Sequence, residues 1–226
     1  MLTMGSHDAP ERRTPEGGIL LLTKRTLAEG SHILRERDPT LCRWMDIVGA
    51  VKLRRQRHQF GALCRSILSQ QIGAGAAKSI HRRFLELFAP ARAPSPDRLI
   101  RLQRDALRRC GISGRKIDYL RALASEFHRG DLRRIRLSRL GDEEVIERLT
   151  RLPGIGVWTA EMFLIFSLGR LDVFAVGDLA LREGVQRVEG RALKPDEIRK
   201  MAQRWSPYRS VASLYLWKIA HWKDGG

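Results

Sequence analysis

The chain has 226 residues, with 42 Lys+Arg against 25 Asp+Glu, so its formal net charge is +17 and its pI is about 11. Because 43% of the residues are hydrophobic, the chain can fold around a sizeable core, which excludes a disordered polycation. The basic excess predicts an anionic partner, and it favours nucleic acid over an acidic protein or an anionic lipid.

No apolar run approaches the roughly 20 residues that a membrane-spanning helix needs, and the first residues lack the apolar stretch of a secretory signal. We therefore expect a cytoplasmic protein, in the bacterial nucleoid. Cys42, Cys64 and Cys110 are widely spaced and include no CxxC pair. That spacing argues against a disulfide framework, a zinc site and an iron–sulfur cluster.

Apolar residues recur at helical spacing almost throughout, so the sequence predicts an all-α fold. One predicted helix holds Val145 and Leu149 and has Asp142 as its N-cap. The other predicted helical segments, in chain order, are 58–71, 77–88, 99–110 in short pieces, 115–127, 157–168, 179–188, 196–205 and 207–222. Strand-like alternation occurs only at 19–23.

This pattern divides the chain into an N-terminal extension (1–37), a helical core (38–222) and a short tail (223–226). The first 15 or so residues of the extension are polar and are predicted to be disordered. The remainder of the extension is expected on the outside of the helical bundle.

Residues 149–160 contain Leu-Pro-Gly-Ile-Gly between two amphipathic helices. Gly154 and Gly156 allow a tight turn with positive φ, and they leave the N–H groups ahead of the next helix accessible to an anion. A simple interhelical turn is the alternative. In so basic a chain, the pattern favours a helix-hairpin-helix that binds a DNA phosphate.

Asp178 follows Val176-Gly177 and precedes an amphipathic helix. By itself this is an ordinary N-cap. The helix dipole and the first N–H groups of the helix also favour an ionised carboxylate at that place. Such a carboxylate can stabilise a cationic sugar transition state or position a water molecule against it.

Together these segments resemble the helix-hairpin-helix glycosylase (HhH-GPD) superfamily of base excision DNA repair, and within it the 3-methyladenine DNA glycosylase II branch. The resemblance extends over about residues 38–222. Further supporting segments are Ile-Leu-Ser-Gln-Gln-Ile (67–72), Gly-Ile-Ser-Gly-Arg-Lys (111–116), Trp-Ser-Pro-Tyr-Arg-Ser (205–210) and Tyr-Leu-Trp (215–217). The resemblance implies a two-lobed helical bundle with the active-site cleft between the lobes.

The resemblance also implies a role for each of several residues. Asp178 is implied as the essential carboxylate, and Gln71 as the side chain inserted into the gap in the duplex. The implied base pocket contains Trp158, Trp217 and Met162. The other implied DNA contacts are Gly154, Gly156 and Thr159, and the main-chain carbonyls implied to hold a structural Na⁺ or K⁺ are those of Thr150, Leu152 and Ile155. Plain core tryptophans and a surface glutamine are the alternatives for Trp158, Trp217 and Gln71.

Two absences indicate the subclass. Relatives that also cut the strand have a Schiff-base lysine where this chain has Trp158, and many of them carry a C-terminal iron–sulfur cluster, whereas no cysteine follows Cys110. The chain departs from the alkylated-base branch at Ala175, where a proline is frequent, at Gly177, where a second aspartate is frequent, and at Met162, where some relatives have an aromatic ring.

The resemblance thus implies a monofunctional glycosylase that needs no cofactor, acts as a monomer and hydrolyses the N-glycosidic bond of alkylated purines, of the 3-methyladenine and 7-methylguanine type, in double-stranded DNA. Residues 101–139, with 12 Lys+Arg and 4 acids, are expected to contribute to a salt-dependent DNA-binding surface. Three alternatives remain: a bifunctional glycosylase/lyase for oxidised bases, a non-catalytic DNA-binding module and a basic protein-interaction domain.

Overall fold

The computed structural model describes residues 19–91, 93–130, 132 and 135–223. These residues are mostly helical and contain no strand, so the predicted all-α fold is confirmed. At the strand-like stretch 19–23 the described residues form one isolated bridge, between Leu21 and Arg170. The disorder predicted for the first 15 residues lies outside the described residues.

Twelve α-helices occur in the described part of the chain, with 3-10 turns at Leu137–Arg139 and Ala202–Trp205 and a π-helical turn at Leu164–Leu168. The helices are α1 (Lys24–Arg37), α2 (Pro39–Val48), α3 (Gln59–Ser69), α4 (Ala74–Glu86), α5 (Pro96–Arg101), α6 (Arg104–Arg109), α7 (Gly114–Arg129), α8 (Asp142–Thr150), α9 (Val157–Phe163), α10 (Leu179–Glu189), α11 (Pro195–Met201) and α12 (Arg209–Ala220). None of them is long and apolar enough to cross a membrane.

The helices pack around two hydrophobic cores, which confirms the two-lobed prediction. The first core belongs to the central lobe, built by α3 to α9, and the second to the terminal lobe, built by α1, α2 and α10 to α12. The terminal lobe therefore joins the two ends of the chain. Met162, Phe166 and Trp217 pack against both cores and mark the boundary between the lobes.

Helix α3 shows how the apolar spacing produces a core element. Phe60, Leu63 and Ile67 recur on one face and are buried. The His58 imidazole accepts a hydrogen bond from the N–H of Gly61 at 3.0 Å and so caps the start of the helix. The helix ends before residue 71 because Gln71 adopts a left-handed backbone conformation, with φ of 54°.

The expected outside position of residues 19–37 is wrong. Leu22 and Leu34 are fully buried in the core of the terminal lobe. Gly30 lies against Tyr208, whose Cδ1 would be 2.6 Å from an added Cβ. Helix α1 is therefore an integral part of this lobe, because its apolar residues face α12.

The predicted N-cap of α8 is also wrong. Gly141 occupies the N-cap position without a side-chain cap, and Asp142 is the first residue of the helix. The Asp142 carboxylate lies 2.9 Å from Nε of Arg170, whose side chain is only 2% exposed. A buried guanidinium needs an anionic partner, and this pairing draws the Asp142 side chain away from the helix end.

Candidate active site

Asp178 is the N-cap of α10, and three N–H donors meet at its carboxylate. Oδ1 accepts from the backbone N–H of Leu181 at 2.7 Å and from Nε1 of Trp217 at 2.9 Å. Oδ2 accepts from Nε1 of Trp158 at 2.7 Å. The structure thus brings together three predicted site residues, which come from α9, from the start of α10 and from α12.

The donor set matches an ionised carboxylate. All three partners supply a hydrogen, and a carboxylate has only acceptors when ionised, whereas a protonated acid would carry a hydrogen of its own. The positive end of the α10 dipole adds to this preference. Asp178 is therefore oriented and negatively charged before any ligand is bound.

Close packing of two helices places the tryptophan and the carboxylate together. Helices α10 and α12 are in contact along their length, and Gly184 of α10 is buried against α12. A Cβ at Gly184 would lie 2.2 Å from the carbonyl oxygen of Leu216. Because glycine permits this approach, Trp217 can reach Asp178 directly.

A cavity of about 550 Å³ lies between α3 and α9, and its described lining includes Trp158, which donates to Asp178, but not Asp178 itself. Trp158 and Met162 line this cavity and Trp217 does not, and the base-pocket roles of all three residues stay predictions. The remaining lining residues are Gln56, Ala62, Leu63, Arg65, Ser66, Ser69, Gln70, Gln71, Thr159, Phe163, Phe166 and Ser167. The volume lies in the range of small-molecule pockets.

Phe166 is a pocket residue that the sequence did not indicate, because an aromatic residue in an apolar helix is ordinarily assigned to the core. It lies in the π-helical turn after α9 and lines the cavity. Its ring centroid is 5.6 Å from that of Trp217. Trp217 therefore supports the cavity wall from behind Phe166.

The two hairpin glycines serve different purposes. Gly154 has φ of 83°, and an added Cβ would lie 2.2 Å from Cδ2 of Tyr119. Gly156 is the N-cap of α9 with φ of −95°, and a Cβ there would meet nothing within 4 Å. The expected positive φ thus holds for Gly154 alone, while Gly156 leaves the start of α9 open to an approaching anion.

Gln71 and Thr159, two other predicted DNA contacts, differ in their exposure. Gln71 is exposed, and it lies at the edge of the cavity. Thr159 is only 4% exposed and lines the cavity, and its DNA contact stays a prediction.

The carbonyls implied to hold a cation lie at the last residue of α8 and in the hairpin turn, residues 151–156. The carbonyl of Leu152 accepts a hydrogen bond from the N–H of Ile155 at 3.1 Å. Thr150 is the last residue of α8, and the last carbonyls of a helix lack partners within it. A carbonyl oxygen has two lone pairs, so this donor set fits a weakly held monovalent cation, and the site remains a prediction.

Within the described residues no group of three or more His, Cys, Asp or Glu side chains is arranged to hold a metal ion. All three cysteines are free thiols. Complete burial of Cys64 raises the pKa of its thiol, which disfavours a reactive thiolate.

Glu161, on α9 one turn after Trp158, is a second carboxylate close to Asp178, and no sequence pattern pointed to it. Burial raises the pKa of Glu161 to about 7. The negative charge of Asp178 also raises this pKa, and the guanidinium of Arg199 opposes the change. The site therefore places a titratable group near an ionised one.

A protein-family model described as "HhH-GPD superfamily base excision DNA repair protein" matches residues 64–209. The chain is 36% identical over 172 residues to DNA-3-methyladenine glycosylase 1 of Schizosaccharomyces pombe, a match that covers 75% of each chain. It is 35% identical over 199 residues to DNA-3-methyladenine glycosylase of Saccharomyces cerevisiae, covering 71% of this chain and 66% of the relative.

Solved structures agree with these relatives. DNA-3-methyladenine glycosidase from Bacillus halodurans has a TM-score of 0.74 and 38% identity, with 84% of this chain and 87% of that chain covered. The 3-methyladenine DNA glycosylase of Schizosaccharomyces pombe, solved in complex with abasic DNA, has a TM-score of 0.73 and 32% identity, with 84% and 95% covered.

Proposed function

The chain belongs to the HhH-GPD superfamily of base excision DNA repair proteins, and from this membership we propose that it is a monofunctional DNA glycosylase that releases alkylated purines from double-stranded DNA. The observation that carries the proposal is the Asp178 carboxylate, held by two indole N–H groups, one of which comes from Trp158 in the cavity lining. The similarity to DNA-3-methyladenine glycosylases supports it.

The substrate supplies much of the driving force. A purine alkylated at N3 or N7 carries a positive charge, so its glycosidic bond is weakened and no general acid is needed. The N–C1′ bond breaks with its electron pair going to the base, which leaves as a neutral molecule. The sugar becomes an oxocarbenium ion, water adds to C1′ and loses a proton, and an abasic site remains.

Asp178 stabilises the positive charge that moves onto the sugar. Because its two oxygens are already bonded to Trp158, Trp217 and Leu181, no reorganisation is required as the charge develops. The carboxylate also orients the attacking water on the sugar face that it occupies. Asp178 therefore needs only to be ionised and fixed, as the structure has it.

The cavity receives the flipped base. Extrusion of a nucleotide costs a few kcal/mol, and damaged pairing reduces that cost. Trp158 is 43% exposed and lines the cavity, so its ring face is available to the base. A cationic base gains about 0.5–2 kcal/mol from an indole face, which favours alkylated over ordinary purines.

The absence of strand cleavage follows from the same geometry. A lyase needs an amine that can attack C1′, and the described lining of the cavity contains no lysine. Trp158 stands where lyase relatives have their lysine, and its indole nitrogen is bonded to Asp178. We therefore propose that water is the nucleophile.

The rest of the molecule binds the DNA backbone. A net charge of +17 supplies sequence-independent affinity that decreases as salt concentration rises. The open start of α9 at Gly156 suits one phosphate, and the hairpin carbonyls of Thr150, Leu152 and Ile155 would hold Na⁺ or K⁺ beside it. We propose that a monomer suffices, because one chain supplies the carboxylate, the cavity and the hairpin.

Chromatography of the free bases released from N-methylated duplex DNA tests this function. We expect 3-methyladenine and 7-methylguanine in the supernatant, and strand breaks only after alkaline treatment of the product. Nicking without alkali, together with borohydride trapping of the protein on DNA, would instead establish a lyase. Tight DNA binding without any released base would establish a non-catalytic module.

A further inference from the structure

Lys116 makes two backbone contacts away from Asp178. It lies in the first turn of α7, and its Nζ donates hydrogen bonds to the carbonyls of Leu68 at 2.8 Å and Gln70 at 2.7 Å. These carbonyls belong to the end of α3 and to the residue that follows it. Partial burial lowers the pKa of Lys116, and the two carbonyls offset the loss of water around its ammonium group.

The two carbonyls that Lys116 binds come just before Gln71, whose backbone conformation is strained. Gln71 has φ of 54°, a left-handed conformation that a residue with a Cβ adopts only when its surroundings hold it. The last carbonyls of α3 lack partners within the helix, so the Lys116 ammonium both satisfies them and fixes the direction in which the chain leaves. The Gln71 side chain itself stays exposed.

Helix α7, which carries Lys116, also supports the hairpin turn. Nε2 of Gln70 donates to the carbonyl of Gly154 at 2.7 Å. Gly154 in turn lies against Tyr119, one turn beyond Lys116 on α7. Helix α7 therefore sets the distance between the turn at residues 70–71 and the hairpin turn, residues 151–156.

We propose that Lys116 is a positioning residue that holds the turn at residues 70–71 so that Gln71 enters the duplex when the damaged nucleotide is extruded. This inference rests on the proposed function. Lys116 touches neither the base nor the reacting sugar, and it acts only through Gln71. When its two hydrogen bonds are lost, the turn is no longer held in place. Gln71 then does not fill the gap that the extruded nucleotide leaves in the duplex.

The experiment compares K116M, which keeps the length of the side chain but removes its donors, with K116R, which restores donors. Single-turnover release is measured on a duplex with one 7-methylguanine, and extrusion is followed by the fluorescence of a 2-aminopurine next to the lesion. We expect K116M to slow release about tenfold and to reduce the fluorescence rise, and K116R to recover most of both.

A double-mutant cycle with Q71A tests whether Lys116 acts through Gln71. In the Q71A background we expect K116M to change the release rate by less than about twofold, because the step that it assists is already lost. The matched control is K218M. Lys218 also donates to two carbonyls at a helix end, those of Gly49 and Ala50 at 3.3 and 3.0 Å, but in the terminal lobe.

Each outcome is decisive. Unchanged release in K116M, an equal loss in the Q71A background, or an equal loss in K218M at the same unfolding midpoint would overturn the positioning role and leave the glycosylase function intact. A reduction of the salt slope by about one in K116M would show a phosphate contact instead and would also overturn it. No release by the unmodified protein would overturn the proposed function itself.

Discussion

Two sides of the candidate active site, the Asp178 rim and the Gln71 rim, are held in opposite ways. At the Asp178 rim the functional atoms themselves are bonded, because both carboxylate oxygens accept from N–H donors. At the Gln71 rim the functional side chain is exposed, and the bonds go to the backbone around it, from Lys116 and through Gln70. One rim fixes a side chain, and the other fixes a turn.

This difference matches the two tasks that we propose for the site. A group that stabilises charge on C1′ gains most when its position is set before the reaction, since no energy is then spent on reorientation. A side chain that enters a base stack must move from water into the duplex, so fixing it in advance would oppose its function. Substitutions at the two rims separate these tasks, and the expected effects decrease from Asp178 to Glu161.

The largest effect is expected from Asp178→Asn, which removes the negative charge at the Asp178 rim. Asn retains N-cap ability, so the fold should persist, but its amide N–H₂ would face an indole N–H in place of an acceptor. We expect release of methylated bases to fall by about 100- to 1000-fold, with duplex affinity preserved. Unchanged release would contradict the role of Asp178, and thermal unfolding of both proteins is the control.

Gly154→Ala tests the backbone of the other rim. The added Cβ would overlap Tyr119 and occupy a positive φ, so we expect a loss of about 2 kcal/mol in the free energy of unfolding. Gly156→Ala is the matched variant, because its Cβ meets no neighbour. It should unfold normally in urea and bind duplex DNA several-fold more weakly. Equal stability of the two variants would contradict the close packing of Gly154 against Tyr119.

Trp217→Phe removes one donor from Asp178 and keeps an aromatic ring against Phe166. We expect kcat for base release to fall about tenfold with little change in KM, because the carboxylate loses orientation and the cavity lining stays. Trp205→Phe is the control, since the Trp205 indole donates to Asp38 in the terminal lobe, at 2.8 Å. A loss of the same size in both variants would indicate a general packing effect.

The smallest effect is expected from Glu161→Gln. This change removes a partly buried carboxyl group whose ionisation is disfavoured by burial and by the charge of Asp178. The pKa of Glu161 is about 7, above the ordinary 4.5, so its contribution to stability is complete below pH 4.5 and is lost as the pH rises through 7. Relative to the unmodified protein, the variant should gain about 1 kcal/mol between pH 5 and pH 8, after allowance for partial exposure. Chemical denaturation at both pH values measures this, and a constant difference would contradict the raised pKa.

Local features of this protein were predictable where local physics decides them. Helix α3 was predicted as 58–71 and is Gln59–Ser69, because its apolar spacing describes one buried face. Asp178 caps its helix as its place before an amphipathic segment indicated. The hairpin glycines lie in the turn that their spacing implied, although only Gly154 has a positive φ.

Other features depended on which distant parts of the chain become neighbours. Asp142 was predicted to cap α8, but a buried Arg170 from a distant part of the chain takes its carboxylate. Residues 19–37 were expected on the outside, yet Leu22 and Leu34 are buried because the two ends of the chain share one lobe. Neither partner can be read from local periodicity.

By itself the sequence determined the helices, the hairpin and the N-cap position of Asp178, since each depends on residues a few positions apart. Only the tertiary structure decided that two indoles, 20 and 39 positions from Asp178, donate to its two oxygens, and that Lys116 holds the turn before Gln71. Those contacts join separate helices, and their geometry is set by how the helices pack together, a property that no local pattern encodes.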